Sequence, residues 1–261
     1  MISNNIFDLT GKVAAVIGGA SGIGEAVTRG AAAMGATVVC LDVKADVAEA
    51  VAKKIGGATT SGALDITNAE AVDQTLSDIN AKHGRLDIVI STPSINVRKK
   101  MLDYLPGEID RVLNVNIIGS FNVLRAAGRI MVQHGKGSIV LFSSIRSLVV
   151  EPGQAVYSAT KAGILQLARG GASEFGPLGV RVNCVGPGVV ETPLTAPIKA
   201  NADWYNAYAS KNPMNRWASP DEMVGPTLFL ASDAASYVNG TIIYADGGWL
   251  AQDGRFTPPG M

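Results

Sequence analysis

The chain has 261 residues, 47% of them hydrophobic and 17% charged, with 22 basic and 22 acidic side chains and a pI near 6.7. Balanced charge, with Arg98-Lys99-Lys100 as the densest basic run, argues against nucleic acid or an anionic membrane surface as a partner. Cys40, Cys184, His83 and His134 are too few and too scattered for a disulfide framework or a metal cluster, so no metal is expected.

The length suits one domain, and residues 1–261 show no repeat, low-complexity tract or linker. No charged leader followed by an apolar run opens the chain, and no stretch has the apolar length to span a bilayer. The expectation is a soluble, cytoplasmic protein.

An apolar run at 13–18 predicts the first strand. It leads through Gly18-Gly19-Ala20-Ser21-Gly22-Ile23-Gly24 into a helical pattern at 23–34. Glycines at that junction permit a tight turn and close approach of backbone to a pyrophosphate, which the helix N-terminus then attracts. The second strand, 37–42, ends on Asp42. An acid there accepts hydrogen bonds from adenosine ribose hydroxyls and repels a 2′-phosphate. Ser21 and Val43, where an arginine would welcome that phosphate, are neutral, which favours NAD over NADP; the competing reading of Asp42 is a helix cap. A helix at 45–55 and a strand at 59–64 follow, ending at Asp65-Ile66. Asp65 is read as an adenine contact or, equally, as an N-cap of the next helix, 68–83.

The fourth strand, 86–91, closes on Ser91 and is followed by Thr92-Pro93-Ser94, with Arg98 and Lys99 beyond. One long helix is expected over 109–133, carrying Asn116. The fifth strand, 138–142, delivers Ser144 and Arg146 to the carboxyl end of the sheet. The helix at 155–175 places Tyr157 and Lys161 at i and i+4, on one face. After a sixth strand at 180–185 and Pro187-Gly188, the segment 189–218 is too long for a plain connection. It holds Trp204, Tyr205, Tyr208 and Trp217, and reads as a lid or as an aromatic mini-core fastening it down. A helix at 220–230 and a strand at 242–245 complete seven strands alternating with helices, which implies an α/β, doubly wound parallel sheet.

Gly18-xxx-Gly22-x-Gly24, Asn116, Ser144 and Tyr157-xxx-Lys161, with Pro187-Gly188 and Asp246-Gly247-Gly248, resemble the short-chain dehydrogenase/reductase family over nearly the whole chain. The resemblance implies one Rossmann-type domain and a catalytic set of Asn116, Ser144, Tyr157 and Lys161. Tyr157 would be the general acid/base, Ser144 the partner of the substrate oxygen, Lys161 the ribose contact that lowers the tyrosine pKa, and Asn116 the holder of a relay water. Gly18, Ser21, Gly22, Ile23, Gly24, Asp42, Val43, Asp65, Ile66, Ser91, Tyr157, Lys161, Pro187, Gly188, Val190 and Thr192 would line the NAD site. Thr192 would hold the carboxamide with the backbone of Val190. A homotetramer is the family expectation, with the tail from Gly248 packed on a neighbour.

Two places depart from the family. Ile17 replaces a threonine, and Ser91-Thr92-Pro93-Ser94 replaces Asn-Asn-Ala-Gly. Because these places touch in the family, one compensated packing solution is expected. Arg98, Arg146 and Trp204 are the candidate substrate contacts, either for an anionic group and a pyranose face or, for the arginines, as partners of Glu151. The stretch Ile95–Lys99 resembles members acting on sugars and sugar acids, so the expected activity is NAD-dependent oxidation of a sugar, sugar-acid, sulfosugar or polyol hydroxyl. The rivals are an NADPH-dependent keto reductase, such as a ketoacyl-thioester reductase, and a non-catalytic NAD-sensing homologue.

Overall fold

The computed structural model describes residues 5–252. Its strands are β1 (Val13–Ile17), β2 (Thr37–Asp42), β3 (Thr60–Ala63), β4 (Ile88–Ser91), β5 (Gly137–Phe142), β6 (Val180–Pro187) and β7 (Ile242–Ala245). They form one seven-stranded sheet in the order β3-β2-β1-β4-β5-β6-β7, every pairing parallel. The order reverses between β1 and β4, which opens a crevice at the carboxyl ends of the strands where ligands bind in such sheets.

β1 shows why the central strands lack polar alternation. Val13, Ala15 and Ile17 point into one apolar layer, while Ala14 and Val16 point into the other. The first layer packs under α3 (Ala69–His83), α5 (Ser120–His134) and α6 (Ala155–Phe175), through Leu76, Val123, Met131 and Ile164. The second packs under α1 (Gly22–Ala33) and α9 (Val224–Ala231), through Val27, Ala31 and Leu228. The flank strands β3 and β7 are the exceptions, being partly exposed at the sheet edges.

α2 (Ala45–Ile55) and α6 match the expected bounds, and Asn68 caps α3 by accepting from Ala71 N at 3.0 Å. The expected helix at 109–133 is instead two. α4 (Pro106–Leu113) and α5 are joined by a π-turn over Asn114–Gly119, a wider coil that no hydrophobic period reveals. The expected last helix also splits, since Pro220–Met223 is a 3₁₀ turn closed by a Ser219–Glu222 capping box. In the long insertion the helical content is α7 (Ala196–Lys199) and α8 (Ala202–Ala209). The N-terminal leader reading, for residues 1–4, and the tail beyond Gln252 lie outside the described residues.

Candidate active site

The cofactor end is built by the turn after β1. Gly18 and Gly22 have φ of +74° and +53°, and a Cβ on Gly24 would sit 1.9 Å from the Gly18 carbonyl oxygen. No side chain but hydrogen can occupy these three places without moving the backbone. Ser21 is the N-cap of α1, yet its side chain makes no capping bond, so the first-turn N–H groups face the crevice without one. This glycine cradle, closed by Thr192 in contact distance of Gly22, fits a dinucleotide pyrophosphate.

Asp42 ends β2 beside that turn. Its Oδ2 accepts from Ala20 N at 3.3 Å and its Oδ1 from Lys44 N at 3.1 Å, so the carboxylate is aimed by backbone. The N-cap of α2 is Lys44, which sets the cap reading of Asp42 aside. Val43 is exposed, as a residue flanking an adenosine ribose would be. Asp65 is neither cap nor free-standing: its Oδ1 accepts from Thr67 N at 2.9 Å and Thr67 Oγ1 at 2.8 Å in a local turn. The Ile66 side chain turns inward. Its side chain is buried in the core under α5 and its carbonyl accepts from Asn122 Nδ2 at 2.9 Å, so the side chain does not reach the crevice. Ile23 likewise packs on the core under α1, which leaves its backbone as the group facing the turn.

The two departures from the family meet as expected. Thr92 Oγ1 lies 3.1 Å from the carbonyl oxygen of Ile17 and 3.2 Å from that of Gly18, donating across the same contact from the opposite side. The hydroxyl that ties the two loops together here sits on the loop after β4. Ser91, buried at the end of β4, is held in the sheet beside Ile17 and Leu141.

β5 ends at Phe142, and Ser144 follows as the cap of a 3₁₀ turn, Ile145–Ser147, accepting from Arg146 N at 3.1 Å. α6 starts at Ala155, which puts Tyr157 in its first turn and Lys161 in its second, against the same strand ends. Lys161 is buried and its Nζ donates to the Phe142 carbonyl at 2.9 Å. Burial brings its pKa down to about 8. Burial also pushes the Tyr157 hydroxyl up to about 12, opposed by the Ser144 hydroxyl, the Arg146 charge, the Ser94 hydroxyl and the Arg98 charge. Lys161 is turned toward the end of β5. Its ammonium stands 5.4 Å from the Tyr157 ring centroid and is turned to a backbone carbonyl.

Asn116 has a structural role beside the one the resemblance implied. Within the π-turn its Nδ2 donates to Ile95 O at 2.9 Å and Thr160 Oγ1 at 3.0 Å, while its Oδ1 accepts from Ile95 N at 2.9 Å. Both side-chain amide protons are spent, so a water would be held by an oxygen of this residue. Its visible work is to clamp the loop after β4 onto α6. Ser120 Oγ then satisfies the Asn116 carbonyl at 2.7 Å, a bond suited to the widened coil.

Pro187 and Gly188 close β6, where a Cβ on Gly188 would meet Asp246 Cα at 2.8 Å. The Val190 carbonyl accepts from Thr195 Oγ1 at 2.6 Å, and Thr192 Oγ1 lies 3.2 Å from the same hydroxyl. The group of Val190 offered to a carboxamide is therefore its N–H.

On the substrate side, Arg98 and Arg146 both bind Glu151, with N–O distances of 2.6 and 2.7 Å. Glu151 also accepts from Gln154 and from the Tyr208 hydroxyl of α8. Burial would raise the Glu151 pKa, but the Tyr208 hydrogen bond and the two arginines outweigh it and hold the carboxyl below its usual range. Asn96 Nδ2 donates to Gln154 Oε1 at 3.1 Å, which extends this polar chain toward the loop after β4. Of the lid aromatics, Trp217 is buried between Tyr205, stacked at 5.2 Å, and Tyr208, edge-on at 5.9 Å. Trp204 stays half-exposed, with the Arg98 guanidinium 5.3 Å from its ring. The mini-core reading holds for Trp217, and an arginine occupies the face of Trp204 expected to serve a sugar ring.

A pocket of about 90 Å³ at Tyr157 and Ser144 adjoins a cavity of about 890 Å³ walled by Trp204, Tyr208, Lys211 and Trp249. Sequence reasoning missed Ser94, Asn96, Gln154 and Tyr208. Ser94 left a signal, for it stands where the family has glycine; Asn96 Oδ1 is buried without a hydrogen-bond partner.

A family model described as enoyl-(acyl carrier protein) reductase matches residues 18–250. The chain is 34% identical over 243 residues to 3-oxoacyl-[acyl-carrier-protein] reductase of Thermotoga maritima, covering 92% of this chain and 98% of that one. It is 35% identical to galactitol 2-dehydrogenase (L-tagatose-forming) of Cereibacter sphaeroides, covering 94% and 97%. Among solved structures, a gluconate 5-dehydrogenase from Burkholderia cenocepacia in complex with NADP and tartrate superposes with a TM-score of 0.91 at 30% identity, over 95% of this chain and 98% of that one.

Proposed function

Since the chain belongs to the short-chain dehydrogenase/reductase family, we propose that it is an NAD-dependent dehydrogenase acting on a secondary or hemiacetal hydroxyl of a sugar, sugar acid, sulfosugar or polyol. The observation that carries this reading is the convergence of Ser144, Tyr157 and Lys161 on one crevice whose other end presents the glycine turn and Asp42.

The nicotinamide, when bound, supplies the hydride acceptor. The chain supplies the proton chemistry. The Ser144 hydroxyl donates to the substrate oxygen, and Tyr157, once its own proton has left and it is a phenolate, takes the substrate proton. A tyrosine buried and pushed up to about 12 is a poor base on its own. The positive charges of Arg146 and Arg98 already oppose that shift, and Lys161 leaving the Phe142 carbonyl for the crevice adds a third. Gly18, Gly22 and Gly24 with the α1 N-terminus would hold the pyrophosphate, and Asp42 the adenosine ribose. The Val190 N–H and Thr192 would orient the carboxamide.

Asp42 supports NAD, since a carboxylate fixed at that place repels a 2′-phosphate. The B. cenocepacia relative binds NADP and the T. maritima relative is a ketoacyl reductase, so the alternative is an NADPH-dependent keto reductase. The named dehydrogenase relatives act on gluconate and galactitol, which supports a carbohydrate hydroxyl here. The reading includes a cytoplasmic location and a homotetramer; association is supported by apolar side chains left exposed at Leu105, which caps α4, and at Phe121 on α5. Residues 189–218 would be its lid. Among the described residues no helix is long and apolar enough to cross a membrane.

The test is a screen of aldoses, sugar acids, sulfosugars and polyols with NAD and NADP at equal concentration, following reduced-cofactor absorbance. Turnover with NAD is expected, and Tyr157→Phe should lower kcat by about 10²–10⁴-fold while NAD binding persists. A strong NADP(H) preference, or full activity of the phenylalanine variant, overturns the reading.

A further inference from the structure

The Glu151 cluster carries more positive charge than its geometry requires. One carboxylate neutralises one guanidinium, yet Arg98 and Arg146 close on Glu151 from both sides. The Arg146 side chain is only 7% exposed. A surplus charge so far from water is costly unless something anionic completes it. Glu151 is the one acid lining the cavity among the described residues.

The two arginines are also held ready. Each lies over an indole, Arg98 at 5.3 Å from Trp204 and Arg146 at 5.5 Å from Trp249, and Glu151 fixes the gap between them. Planar guanidinium groups fixed in this way bind carboxylate, sulfonate or phosphate oxygens without first having to be ordered. Their position relative to the chemistry is set by covalent structure. Arg146 belongs to the same short turn as Ser144 and donates its N–H to that hydroxyl. Arg98, Arg146 and Tyr208 wall both the small pocket at Tyr157 and the large cavity, so a single small molecule in the crevice meets both.

Resting on the dehydrogenase reading above, we propose that the cavity between Arg98, Arg146 and α8 is an anion subsite, and that the substrate is a sugar or polyol bearing a carboxylate, sulfonate or phosphate away from the hydroxyl held at Tyr157. The anion sits against the arginine pair with Glu151 as its spacer. A neutral sugar leaves the surplus charge unanswered and binds weakly, because a buried group left unpaired discriminates more strongly than a missing apolar contact.

Two measurements test this, the first independent of turnover. Inorganic sulfate is titrated against chloride at matched ionic strength, with tryptophan fluorescence as the readout. Saturable sulfate binding is expected in the wild type and lost in both Arg146→Met and Arg98→Met, with thermal melts to verify folding. Two variants on opposite sides of Glu151 keep the test sound if one fails to fold. The second measurement compares D-glucose with D-glucuronate, D-glucose 6-phosphate and 6-deoxy-6-sulfo-D-glucose, using NAD. At least one anionic sugar should exceed glucose by about tenfold or more in kcat/KM, chiefly through KM, and the ratio should collapse in either variant. No sulfate binding beyond the chloride control, or binding unchanged in both variants, overturns the subsite. Equal oxidation of neutral and anionic sugars overturns it too, and leaves the dehydrogenase reading standing. Sulfate binding with no sugar oxidised by either cofactor supports the subsite and removes the carbohydrate reading.

Discussion

Lys161 is buried at the crevice with its Nζ on the Phe142 carbonyl, and burial brings its pKa from 10.5 to about 8. Between pH 8 and 10.5 the unfolded chain therefore holds a proton that the folded chain has released. Stability contributed by this group rises with pH across that window, and is lost as pH falls through 8. A shift of this size corresponds to about 3 kcal/mol at most. Tyr157 acts in the opposite sense, but only above pH 10, because its pKa is raised. Urea unfolding of the cofactor-free protein should then show wild type gaining on Lys161→Met between pH 8 and 10, with Tyr157 cancelling in the difference. A constant difference across that range would place the lysine in a better-solvated setting than its burial indicates. At this scale the catalytic residues were legible because their chemistry forces their types and spacing: a hydroxyl pair, a lysine one turn away, glycines where no Cβ fits. Glu151 was legible only as the bland partner of an arginine. That it binds Arg98 and Tyr208 as well as its neighbours Arg146 and Gln154 depends on three separate segments meeting, which no spacing along the chain encodes.

The elements divide the same way. Central strands and the α2 and α6 helices read directly, since burial on both faces writes Val and Ile runs and a one-sided contact writes a helical period. The break at Asn114–Gly119 did not, because a π-turn inserts one residue without changing which types are apolar. Its trace is instead the inward Asn116, which clamps Ile95 and Thr160. The lid is the element whose attachment is thinnest. α8 is tied to the body by Tyr208, whose hydroxyl donates to Glu151 and whose ring lies 5.9 Å from Trp249, and by Trp204, whose ring meets Arg98 at 5.3 Å. Tyr208→Phe keeps the ring contacts and removes the hydrogen bond, which should lower the local opening free energy of α8 by about 1 kcal/mol. Amide exchange across residues 202–209 should accelerate about fivefold to tenfold while the α6 amides stay unchanged. Equal exchange in the two proteins would show that ring packing alone holds the lid.

For the whole molecule, the unresolved burial lies on the outer side of the segment that holds Asn116. Leu105, Leu113, Ile118 and Phe121 are 61%, 39%, 48% and 45% exposed along α4, the π-turn and α5. The opposite face of α5 inserts Val123, Leu124, Ala127 and Met131 into the core. The apolar face of α5 is already spent on the core, so an exposed apolar stripe running from the start of α4 over the π-turn to Phe121 marks a surface meant to be covered. A second copy packing there would bury the stripe and brace the π-turn from outside, so assembly and the Asn116 clamp would support one another. Phe121→Glu places a charge in the middle of the stripe, where burial without a partner costs several kcal/mol. Sedimentation velocity should find wild type as an oligomer and the variant dissociated, with kcat falling as the clamp around Ile95 loosens. A wild type that sediments as a monomer, or an assembly indifferent to the added charge, removes this face as the interface and with it the link between association and the catalytic loop.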